Sequence, residues 1–143
     1  MYQSILVPLD GSVTAEAILP EIETLAKGMA ARLIIARVCP SLKVAEPTVA
    51  ETLTSTSEQA EQYLTEMKST LNGKGIDVET HLCYGDAAYE IIDLSNRLEV
   101  DLIAMSTHGR SGIGRWLLGS IAEKVVRHSS RPVLLVRARA ASG

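Results

Sequence analysis

The chain has 143 residues, a length at which one domain buries about 68–70% of its unfolded surface without covalent staples. Fourteen basic against seventeen acidic residues give a formal charge of −3, which argues against a nucleic-acid partner. No apolar run approaches the roughly 20 residues needed to span a bilayer, and MYQSILVPLD reaches an acidic residue too early for a signal peptide. Together these features predict a soluble cytoplasmic protein with no membrane partner.

In chain order, the first apolar run is SILVPL (4–9), short and branched as buried strands are. Asp10-Gly11-Ser12 follows, with Ser12 as a helix N-cap and Ala15, Ile18, Ile22, Leu25 and Ala26 recurring on one face. A second strand, RLIIARV (32–38), leads into a polar, Pro-containing stretch over 39–56 that reads as a long binding or mobile loop. Ala60, Leu64, Met67 and Leu71 then mark a helix over 57–71, stopped at Asn72-Gly73. The third strand is VETHLC (78–83). Asp86 opens a helix through Ala87, Ile91, Leu94 and Leu98, and DLIAMS (101–106) is the fourth strand. A last helix over 116–128 carries Leu117, Ile121 and Val125, and PVLLVR (132–137) closes the pattern before a small, polar tail at 138–143 expected to fray.

Strictly alternating strands and helices predict one α/β domain over 1–137, with parallel strands joined by right-handed crossovers and helices on both faces. A core of Val, Ile, Leu and Ala without Phe suits such a sheet. Cys39 and Cys83 lack metal-ligand or CxxC spacing and read as buried thiols in a reducing compartment.

The junction MSTHGRSGIGRWLLGS (105–120) holds four glycines, at 109, 112, 114 and 119. Glycine serves where φ must be positive or where a ligand approaches the backbone, so this is either an awkward loop or a binding site. Ligands of open parallel sheets bind beyond the carboxyl ends of the strands, where strand order reverses. If the first and fourth strands are neighbours there, Pro8-Leu9-Asp10-Gly11-Ser12 and the Gly-rich junction share one crevice, each leading to a helix N-terminus suited to phosphate. Familiar phosphate motifs do not fit. Leu117 replaces the third glycine of a dinucleotide fingerprint, and Ser120 stands where a P-loop needs Lys. Arg110, Arg115, Lys124, Arg127 and Arg131 cluster nearby, either as a solvated helix face or as an attraction for an anion.

The pattern that does fit is STHG, nine residues, then Gly119-Ser120, together with ILVPLDGS near the start and the closing SSRPVLLVR. Over nearly the full chain this resembles the ATP-binding branch of the universal stress protein family. Gly109, Gly119 and Ser120 match that motif, while Ser106 stands where its first glycine is expected. A serine there costs about 1–2 kcal/mol if φ must be positive, and nothing if the position need only be small.

The resemblance implies a Rossmann-like nucleotide-binding fold: an open five-stranded parallel sheet of order 3-2-1-4-5, forming homodimers through the last strand (131–137). It also implies ATP with Mg or Mn. Pro8, Leu9 and Asp10 would border the adenosine, with Val38 near the adenine. Met105, Ser106, His108 and Gly109 would line the ribose and phosphates, and Gly119, Ser120 and Ile121 would offer backbone N–H groups to the phosphate chain. No catalytic residue is assigned, and the metal ligands stay open. The reading is a dimeric stress-response nucleotide sensor or carrier with slow or no hydrolysis. Two alternatives stand beside it: an ATP-independent interaction protein with a degraded site, and a slow ATPase or hydrolase using His108.

Overall fold

A computed structural model describes residues 2–41, 47–108 and 118–137. Five strands, β1 (Ser4–Pro8), β2 (Arg32–Cys39), β3 (Val78–Tyr84), β4 (Leu102–Ser106) and β5 (Val133–Val136), form one all-parallel sheet of order β3-β2-β1-β4-β5. Helices α1 (Val13–Glu16), α2 (Leu19–Met29) and α3 (Pro47–Gly73) cover one face, and α4 (Ala87–Arg97) and α5 (Ser120–His128) the other.

Strand pleating divides the core. On β1, Ile5 and Val7 join Ile22, Leu64 and Leu71 on the first face, while Leu6 joins Ile91, Leu94 and Val125 on the second. Ile5, Leu6 and Val7 are fully buried, each stabilising the fold by about 1.5–3 kcal/mol. An apolar run without alternation is therefore what a central strand, covered on both sides, requires. Both cysteines are buried and free, as their surroundings in the sequence suggest. None of the described helices is long and apolar enough to cross a membrane.

Three helix boundaries differ from expectation. The first helix is broken into α1 and α2, because Pro20 supplies no N–H to Glu16 and its ring crowds that carbonyl. The connection expected over 39–56 becomes helical at Pro47, ten residues ahead of Ser57. Proline's fixed φ suits a first helical position, and no Gly or further Pro interrupts the chain until Gly73. The last helix starts at Ser120 rather than at 116: the Gly119 N–H turns to the Thr107 carbonyl (2.8 Å) instead of a helical partner, leaving Gly119 as the N-cap. Trp116 and the expected tail over 138–143 lie outside the described residues.

Candidate functional site

β1 and β4 are adjacent, yet the chain leaves β1 for the α1 face and β4 for the α5 face. The loops part at this reversal, and a cleft of about 570 Å³ opens beyond the strand ends.

The β1 wall is made by local chemistry. Gly11 has φ 84°, a left-handed conformation glycine adopts freely. That turn lets one Asp10 carboxylate oxygen accept from both the Ser12 N–H (2.9 Å) and the Ser12 hydroxyl (2.6 Å). Ser12 Oγ in turn accepts from the Ala15 N–H (3.0 Å), capping α1. Asp10 thus orders its own loop while lining the cleft.

On the β4 wall, Met105 and Ser106 are each 6% exposed and end the strand. Positive φ among described non-glycine residues is confined to Ala30 and Glu99, so Ser106 carries no left-handed strain. Serine fits this backbone without that cost. The Ser106 hydroxyl accepts from the His108 N–H at 3.4 Å, and His108 Nδ1 lies 3.1 Å from the Thr107 hydroxyl.

Directly beside this wall stands the start of α5. Gly119 has φ −63° and ψ 157°, open to any residue, so its role is one of space. A Cβ there would meet the Thr107 carbonyl oxygen at 3.1 Å and His108 Cα at 3.4 Å. Among the described residues no side chain caps α5, which leaves the N–H groups of its first turn at Ser120 and Ile121 bordering the cleft, whereas the Gly119 N–H, expected to face a phosphate, is taken by the Thr107 carbonyl.

Of the residues expected at a site, Pro8, Leu9, Asp10, Val38, Met105, Ser106, His108, Gly119, Ser120 and Ile121 all line this one cleft. Gly109 lies outside the described residues, as do Arg110 and Arg115. The rest of the basic cluster is not brought here. Lys124 borders a separate groove between α4 and α5, Arg127 pairs with Glu123 (2.8 Å), and Arg131 reaches Asn96 (3.3 Å).

Sequence reasoning missed Arg37 of β2, with Thr56 and Gln59 of α3 and Ala87 and Ile91 of α4, all of which line the cleft. The signal for Arg37 was present: a charge near the carboxyl end of the otherwise apolar RLIIARV. Cys39, beside it, belongs to the wall. Burial pushes its thiol up, against an opposing pull from Arg37.

The universal stress protein family profile matches residues 1–137. The chain belongs to the universal stress protein family. It is 31% identical over 142 residues to universal stress protein MJ0531 of Methanocaldococcus jannaschii, an alignment covering 96% of this chain and 83% of that protein. The solved structure of MJ0577, a universal stress protein of the same organism, superposes with a TM-score of 0.87 at 30% identity, covering 99% of both chains. A universal stress protein solved in complex with cAMP superposes with a TM-score of 0.71 at 26% identity, covering 95% of this chain and 97% of that one.

Proposed function

We propose that this universal stress protein binds ATP in the β1/β4 cleft and acts as a dimeric nucleotide sensor or carrier. The observation that carries the reading is the first turn of α5, which no described side chain caps and which lines one cleft together with Asp10. Backbone N–H groups at a helix start favour phosphate, and an anion there gains about 0.3–1 kcal/mol when exposed and up to about 2 when partly buried. The cAMP complex of a relative supports a nucleotide of this class. A purine would rest on Val38 and Ile91, the ribose near Asp10, and the phosphate chain at Gly119 and Ser120.

Among the described residues no cluster of three His, Cys, Asp or Glu side chains could cage a metal. Mg or Mn would instead arrive on the phosphate chain, with Asp10 and Ser120 as nearby protein oxygens. Hydrolysis is slow in this reading, because among the described residues the His108 ring meets the Thr107 hydroxyl rather than an orienting carboxylate.

Thermal melting with Mg-ATP tests the reading. Ligand at 100 times its dissociation constant adds about 2.7 kcal/mol, a shift of several degrees. No shift up to millimolar Mg-ATP would overturn it.

A further inference from the structure

Arg37 is a cation the phosphate cradle does not explain. It lines the cleft from β2, and β1 separates β2 from β4. Neighbouring strands lie about 4.8 Å apart, so Arg37 is anchored roughly 10 Å across the sheet from the strand that leads to α5.

Arg32, Arg97 and Arg127 each have a carboxylate within 2.9 Å. Arg37 has none among the described residues. Its guanidinium instead lies over the Tyr63 ring, 5.4 Å from the centroid. That platform is fixed, because the Tyr63 hydroxyl donates to Glu16 at 2.8 Å. Stacking occupies the face of a guanidinium and leaves its in-plane N–H donors for another acceptor. A half-buried cation held this way and facing a cleft calls for an anion.

A role for Arg37 rests on the nucleotide reading of the cleft. With the 5′ phosphate chain at α5 and an uncharged purine against Val38, the group left to carry charge near β2 is the ribose. Asp10 suits one ribose hydroxyl as an acceptor and would repel a phosphate placed directly on it. Arg37 suits a phosphate on the other.

We propose that Arg37 is a second anion-recognition point, selecting nucleotides whose ribose bears a phosphate on its 2′ or 3′ oxygen in addition to the 5′ chain. The guanidinium moves no proton and makes no bond; it discriminates between ligands.

Isothermal titration at fixed ionic strength tests this with AMP, adenosine 2′,5′-bisphosphate and adenosine 3′,5′-bisphosphate as probes. For the unaltered protein, at least one bisphosphate is expected to bind tenfold or more tightly than AMP. Arg37→Met keeps an unbranched side chain and removes the charge, and should bring that ratio to within twofold. Arg37→Lys should restore part of the preference. Equal affinities in the unaltered protein, or a preference that survives in Arg37→Met, would overturn the proposal and leave nucleotide binding standing. Failure of all three probes to bind would overturn both. Should circular dichroism show Arg37→Met unfolded, Arg37→Gln carries the same expectation.

Discussion

Gly119 has an unstrained backbone, so its constraint is the 3.1 Å that a Cβ would leave to the Thr107 carbonyl. Gly119→Ala must move that carbonyl by a few tenths of an ångström and loosen the 2.8 Å bond from Gly119 N–H. Overpacking of this kind costs about 1–3 kcal/mol. Denaturant titration of Gly119→Ala should show a loss near the lower end of that range. Ser106 teaches the converse. Its sequence neighbours leave open whether the position requires glycine, and only its place at the end of β4 shows that serine sits there without left-handed strain. Arg37 was legible as a letter but not as a site residue, because strand order brings it to the cleft and no local spacing encodes that.

At the scale of elements, Asp101 fastens the beginnings of two adjacent strands. Its carboxylate accepts from the Gln3 N–H (2.8 Å) and the Ser4 N–H (3.1 Å), just ahead of β4 and at the start of β1. These bonds hold the Asp101 carboxyl below the usual aspartate value of 3.8. A depressed carboxyl stabilises the fold above its unfolded pKa and loses that contribution as pH falls through the folded one. The melting-temperature advantage over Asp101→Asn should therefore be full above about pH 3.8 and shrink at lower pH. A flat difference across that window would contradict it. Strands were the most legible elements, each predicted to within about a residue, because burial on both faces imposes long branched runs. The Ser12 and Asp86 caps were equally readable, since capping is local. Helix starts failed where a single atom decides: the N–H that Pro20 lacks, the φ that Pro47 presets, and the Gly119 N–H diverted to Thr107.

At the scale of the molecule, β5 lies at the sheet edge, with Leu134 37% exposed. An apolar edge strand invites pairing with a second copy about a two-fold axis, consistent with the dimer we propose. Leu134→Lys should then shift the mass measured by light scattering from twice 15.4 kDa towards 15.4 kDa, leaving the melting of the monomer nearly unchanged. Thr107 joins that edge to the cleft. Its N–H donates to the Val136 carbonyl (3.1 Å), and its own carbonyl takes the Gly119 N–H. One residue, through its own N–H and its own carbonyl, is thus a two-ended tether, so a tug on the outermost strand and a push on the opening turn of the final helix both load the Thr107 backbone.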